Sequence, residues 1–187
     1  MGENHRSDPA LIQACLSRDQ SAWNELVERY TRLVYSIPRR YGFSEPDADD
    51  VHQNVFRILA EKLRQLQDQT RLSSWIITTA HRECWRLRRA AQRIPALPAN
   101  EQADQSLPEE AVRRLERQHL VRLGLEAVGD PCRGLLETLF LQPAAPPYET
   151  IAHSLGMKVG SIGPTRARCL QKLEAILREL GMEGWDE

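Results

Sequence analysis

The chain has 187 residues, of which 41% are hydrophobic and 27% charged, and its formal net charge is −1. That length suits one or two small domains, and a net charge so near zero says less about partners than local patches do. No apolar run is long enough to span a bilayer, and the polar start Gly2-Glu-Asn-His-Arg excludes a signal peptide, so a cytoplasmic protein without membrane insertion is expected.

Alternating strand patterns are almost absent, whereas amphipathic segments rich in Leu, Arg, Glu, Gln and Ala dominate, which predicts an all-α fold. Ser7-Asp8-Pro9 forms a helix start, a capping side chain followed by proline in the first turn. Ala10, Leu11, Ala14 and Cys15 supply its apolar side. Asp19 or Ser21 caps the next helix, which carries Trp23, Leu26, Val27, Tyr30, Leu33, Val34 and Ile37 at three- and four-residue spacing. Pro38 bends it near its end, and Gly42 terminates it. The acids of Pro46-Asp-Ala-Asp-Asp50 open a third helix, where they complement the macrodipole. Val51, Val55, Leu59, Leu63 and Leu66 form its buried stripe, and Asp50, Gln53, Asn54, Arg57 and Glu61 share the opposite side. A polar loop over 66–74 then leads, through a Ser73 or Ser74 cap, into a fourth helix. That helix starts apolar and aromatic at Trp75 and ends with Arg82, Arg86, Arg88 and Arg89, a pattern suited to single-stranded or melted nucleic acid: bases stack on aromatics while arginines follow phosphates.

Prolines, small residues and acids replace this pattern between Arg93 and Pro108, as in an extended linker with a reach on the order of 40–50 Å. The expected organisation is a first domain over 8–93, a flexible linker over 94–107 and a second domain over 108–182. In the second, Glu109-Glu110 open a helix that Gly129-Asp-Pro131 breaks. Cys132, Leu135, Leu136, Leu139, Phe140 and Leu141 predict a short, strongly buried helix, and Gln142–Pro147 a stiff loop. The stretch Pro147–Leu173 then reads as a helix-turn-helix: Ile151, Ala152 and Leu155 on the first helix, Gly156 ending it, and Val159, Ile162, Cys169, Leu173 and Ile176 as one stripe of the second. Ser161, Thr165, Arg168 and Lys172 fall within about 60° of one another on the other side, offering groups suited to base edges and phosphates.

The order of these motifs carries a resemblance. Asp-Ala-Asp-Asp-Val-His-Gln, then Trp-Ile-Ile-Thr-Thr-Ala-His-Arg-Glu-Cys, then a proline-bearing linker and Gly-Ser-Ile-Gly-Pro-Thr-Arg-Ala-Arg-Cys-Leu together resemble a bacterial extracytoplasmic-function sigma factor, the compact kind that keeps only regions 2 and 4 of the sigma-70 family. The resemblance spans about Asp8 to Leu180. It implies two small helical domains, the C-terminal one a helix-turn-helix (winged-helix-like) four-helix domain, in a subunit that joins core RNA polymerase and directs it to promoter DNA.

Asp50 and Gln53 match the Asp-x-x-Gln that grips the clamp helices of the largest polymerase subunit, and Asn54 and Arg57 border that contact. The loop over 66–74 and the helix after it match the elements that capture and melt the −10 element, with Arg71, Trp75, Thr78, Thr79, His81, Arg82, Arg86, Arg88 and Arg89 as candidate contacts. The helix-turn-helix matches the −35 reader, with Ser161, Pro164, Thr165, Arg166, Arg168 and Lys172 as candidates. Many family members carry Arg-Asn where this chain has His81-Arg82, which implies a different −10 preference. Gly163-Pro164 stands where many carry a basic and a small polar residue, and a kink there would shift the phase of Arg166. An anti-sigma factor is a further implied partner.

Cys15, Cys84, Cys132 and Cys169 are widely separated, form no C-x-x-C pair and are expected to be reduced structural thiols. His81 and Cys84 lack further ligands nearby, so no metal site, cofactor or catalysis is expected. A stand-alone helix-turn-helix regulator leaves the Asp50–Gln53 face and the basic Trp75 helix without a role. A metal- or thiol-dependent enzyme built on His81, Cys84 or Cys169 finds no support in the spacing.

Overall fold

The computed structural model describes residues 6–66, 69–91 and 107–182, and among these every regular element is helical. The α-helices are α1 (Asp8–Leu16), α2 (Gln20–Arg40), α3 (Glu45–Lys62), α4 (Leu72–Ala91), α5 (Glu109–Val128), α6 (Cys132–Phe140), α7 (Tyr148–Ser154) and α8 (Ile162–Glu179). The chain divides into two compact units, Arg6–His119 and the residues from Leu120 onward. The division falls inside α5, so the first unit extends beyond Ala91 to include residues 107–119. Apart from Leu107, the linker expected over 94–107 lies outside the described residues.

The first unit is a bundle in which α2 packs on α1, α3 and α4. Its ends follow local chemistry: the Ser7 hydroxyl accepts from the Ala10 amide, Asp19 accepts from the Ser21 and Ala22 amides, and Ser44 accepts from the Asp47 amide. Leu26, Leu33, Val34 and Ile37 of α2 meet Val51, Val55 and Leu59 of α3 and Leu72, Ile76, Ile77 and Ala80 of α4 in one core. Each fully buried Val, Leu or Ile among these contributes roughly 1.5–3 kcal/mol. Beneath α1, the buried Arg29 guanidinium donates to Asp8 at 2.7 Å, to Glu25 at 3.1 Å and to the Arg6 carbonyl at 2.7 Å, while the Tyr30 hydroxyl donates to Asp8. A buried charge is tolerated here because carboxylates and a carbonyl surround it. Pro38 is accommodated inside α2, which runs on to Arg40 before Gly42, at φ 72°, closes it.

In the second unit α6 packs against α8. Leu125, Leu135, Leu136, Ile151, Ala152, Ile162 and Cys169 form the core. Gly124 lies so close to α8 that an added Cβ would stand 2.8 Å from both Leu173 Cδ1 and Leu177 Cδ2.

Several expectations are corrected. Cys132 and Cys169, expected as thiols, form a disulfide between α6 and α8, with Cα atoms 5.2 Å apart; Cys15 and Cys84 are free. Helical packing brought together two cysteines 37 positions apart, which sequence spacing alone does not reveal. Phe140 and Leu141, expected in the core, are 58% and 62% exposed, because α6 buries only the side through Leu135 and Leu136 and ends at Phe140. Val159 is exposed in a single 3-10 turn ahead of α8, outside the stripe assigned to it. In α1, Ile12 is buried where Ala10 was expected.

Candidate nucleic-acid and polymerase interfaces

On α3, Asp50, Gln53 and Arg57 are exposed and Asn54 is half-buried, opposite Val51, Val55 and Leu59. Arg57 donates to Glu61 at 2.7 Å, an exposed pair one helical turn apart and worth at most a few tenths of a kcal/mol. This face is therefore held by the helix behind it, and its carboxylate and amide remain in water. Periodicity did not reveal the aromatic row alongside. Tyr35 of α2 donates to Asp49 at 2.6 Å and stacks on His52 with ring centroids 4.7 Å apart, and His52 in turn meets Phe56 at 4.8 Å. Burial lowers the His52 pKa below its ordinary value, partly offset by Asp49.

Helix α4 begins at Leu72, earlier than expected, after a 3-10 turn over Gln69–Arg71. Ser73 and Ser74 therefore lie inside its first turn and do not cap it; both hydroxyls donate to the Glu116 carboxylate, Ser74 at 3.0 and 3.1 Å. The candidates on α4 separate by burial. Arg71, Arg82, Arg86 and Arg88 are exposed, and Trp75, Thr78 and Arg89 half-buried. Arg71, Trp75, Thr78, Arg82, Arg86 and Arg89 recur at three- and four-residue steps and so share one side of the helix. Thr78 returns its hydroxyl to the Ser74 carbonyl at 2.9 Å, and Arg86 pairs with Glu83 at 2.9 Å.

Thr79 and His81 face inward, 8% and 5% exposed. His81 packs between Tyr41, at 5.6 Å, and Trp85, at 6.5 Å between centroids. Burial, and then the Arg82 charge, lower its pKa. Tyr41, Phe43 and Trp85 escaped sequence reasoning because the chain turn at Gly42, not helical spacing, brings α2's end to α4. Burial pushes the Cys84 thiol up to about 12, leaving it protonated and inert at neutral pH.

In the second unit α7 ends with Gly156 at φ 62°, where the Met157 amide bonds the Ala152 carbonyl at 2.8 Å and the Gly156 amide the His153 carbonyl at 3.4 Å. Only glycine takes this left-handed position without steric cost. Helix α8 starts at Ile162, so Gly163 and Pro164 occupy its first turn. The amide that proline lacks has no intrahelical partner there, so Pro164 breaks no bond of the helix. Ile162, Cys169 and Leu177 seat the helix on the core.

The outer side carries Pro164, Arg166 and Arg168, all exposed, with Thr165 half-buried beside them. Arg166, whose phase was uncertain, is thus placed outward, donating to the Tyr148 hydroxyl at 3.2 Å; Arg168 donates to Thr165 at 3.3 Å. Ser161 bonds back to the Lys158 carbonyl at 2.7 Å, and Lys172 donates to the Val128 carbonyl at 2.8 Å, closing the C-terminal end of α5. Among the described residues no group of three or more potential metal-binding side chains occurs, and no helix is long and apolar enough to cross a membrane.

Comparison with known proteins bears on these surfaces. Residues 26–94 match the family Sigma-70 region 2. The ECF RNA polymerase sigma factor SigM of Mycobacterium tuberculosis (strain ATCC 25618 / H37Rv) is 24% identical over 183 residues, covering 96% of this chain and 88% of that protein. A solved structure of CnrH in complex with the cytosolic domain of CnrY is 22% identical and covers 93% of this chain and 99% of that one, with a TM-score of 0.40. The region 2 match takes in most of α2 and all of α3 and α4, the relative aligns along nearly the whole length, and on those two findings the chain carries a Sigma-70 region 2 and is similar over its length to an extracytoplasmic-function sigma factor of RNA polymerase.

Proposed function

We propose that the exposed α3 face of Asp50, Gln53, Asn54 and Arg57 binds the clamp helices of the largest polymerase subunit, that the outer side of α4 captures the melting −10 element, and that α8 reads the −35 element. The observation that carries this reading is the division of α4. A stripe of arginines with Trp75 and Thr78 lies outward, and His81, Thr79 and Cys84 lie inward. A half-buried aromatic beside exposed arginines can stack on unpaired bases and neutralise phosphates, interactions a closed duplex offers only in part, so binding favours the open strand. On this burial pattern His81 and Thr79 shape the helix from beneath, and Tyr41 and Trp85 border the surface above His81.

For the −35 element, Thr165, Arg166 and Arg168 form the outward start of a helix seated by Ile162, as a recognition helix requires. Lys172 supports α5 in the free protein. An anti-sigma factor that covers both units, as the family implies, is part of the same proposal, as is the absence of catalysis by this chain.

Run-off transcription with core RNA polymerase on a promoter library randomised in both elements tests the whole. Wild type is expected to yield one enriched pair of elements. Arg168→Ala is expected to relax the upstream element alone, with a loss of about 1–3 kcal/mol if the guanidinium reads a base bidentately. No transcription, despite DNA binding by the chain alone, would instead favour a stand-alone regulator.

A further inference from the structure

The first half of α5 lies along the helices of the first unit. Leu115 is 4% exposed within the α1–α4 core, with Val112 and Leu107 packed against it. Glu116 accepts from both Ser73 and Ser74 at the start of α4. The His119 ring lies 4.7 Å from the Tyr30 ring, 2% exposed, and Arg40 of α2 donates to Gln118 at 2.9 Å. Residues 112, 115, 116 and 119 stand at three- and four-residue steps and so make one continuous docking face.

Glu116 brings a carboxylate to the first turn of α4, where the helix dipole favours negative charge. Ser73 and Ser74 stand in the chain between the exposed Arg71 and the half-buried Trp75, at the entry to the stripe assigned above to the −10 strand. A DNA phosphate presents the same charge and the same acceptor oxygens to the same donors.

We propose that residues 107–119 are an intramolecular latch that closes the start of α4 in the free chain, with the Glu116 carboxylate standing where a phosphate of the −10 strand binds. The inference rests on the −10 reading of α4. The apolar contacts of Leu107, Val112 and Leu115 hold the latch in place, and Glu116 gives it its electrostatic complementarity. Strand capture and latch closure then exclude each other at Ser73 and Ser74.

Fluorescence anisotropy of the full-length chain without polymerase tests this, using a labelled single strand bearing the −10 sequence recovered in the run-off selection. Glu116→Ala is expected to tighten binding by tenfold or more, with Glu116→Asp close to wild type. Glu110→Ala, an exposed acid on the same helix, is expected to change binding less than twofold. Equal affinity for Glu116→Ala and wild type overturns the latch, as does an equal gain from Glu110→Ala, which would reduce the effect to general charge. Circular dichroism melts of each variant establish that the folded protein is being compared. Failure to recover any −10 sequence from the selection overturns the underlying reading of α4 instead, so the two failures are distinct.

Discussion

His81 illustrates how one residue's role is set by what lies over it. Its sequence context, between two threonines and a run of arginines, suggests contact with DNA, whereas its ring is buried against Tyr41 and Trp85. Burial with Arg82 nearby holds its pKa below the ordinary 6.5. The folded state thus binds this proton less readily than the unfolded chain does. The associated stability is fully present above about pH 6.5 and is lost as pH falls through the folded value, each unit of depression amounting to about 1.4 kcal/mol. His52 shifts in the same direction and adds to the slope. Urea unfolding at pH 7.5 and 5.5 should therefore show a loss of stability at the lower pH, and His81→Gln should make that loss smaller. An unchanged pH dependence in the variant would show that His81 titrates normally.

At the scale of single elements, α8 shows that a residue's cost depends on its position within a helix. Pro164 falls in the first turn, where a missing amide breaks no bond and a fixed φ suits the entering chain. Pro164→Ala should change stability by less than about 1 kcal/mol. Ala167→Pro, just beyond that first turn, removes an intrahelical bond and should cost about 3 kcal/mol. Thermal melts of the two variants check the contrast, and similar losses in both would refute the first-turn placement. The same principle relocates Ser73 and Ser74. With α4 starting at Leu72, their hydroxyls are free of capping and are taken up by Glu116.

At the scale of the whole molecule, the two units are stabilised differently. The first has a long α2 packed on three other helices and the buried Arg29 cluster. The second has a smaller core, with the Cys132–Cys169 bond crossing it from α6 to α8. For a sequence separation of 37, chain entropy assigns this bond about 4 kcal/mol. Reduction with dithiothreitol, or Cys132→Ser, should therefore lower the melting temperature of the second unit and leave that of the first unchanged, as followed by amide exchange in each unit of the intact chain. Equal melting of the second unit with and without reductant would show that its core does not depend on the bond.

The sequence by itself determined the helical class, the cap at Ser7, the ends of α2 and α7 at Gly42 and Gly156, and the buried stripe of α3 from Val51 through Val55 to Leu59. These follow from spacing and from residues whose backbone preferences act within one turn. It also marked Asp50, Gln53, Arg57, Arg82, Arg86 and Arg88 as exposed polar groups, because amphipathic helices sort their sides by period. It left the α2 cap between Asp19 and Ser21, and it ran the α3 stripe on to Leu63 and Leu66, which lie beyond that helix. Tertiary structure alone decided the rest: the Cys132–Cys169 pairing, the exposure of Phe140 and Leu141, the outward turn of Arg166, the row Tyr41–His81–Trp85, and the docking of Glu116 on Ser73 and Ser74. Each depends on which helix comes to lie against which, over separations that local propensity does not span. The physical reason is packing: a helix's own pattern says which side must be covered, and only the folded chain supplies what covers it.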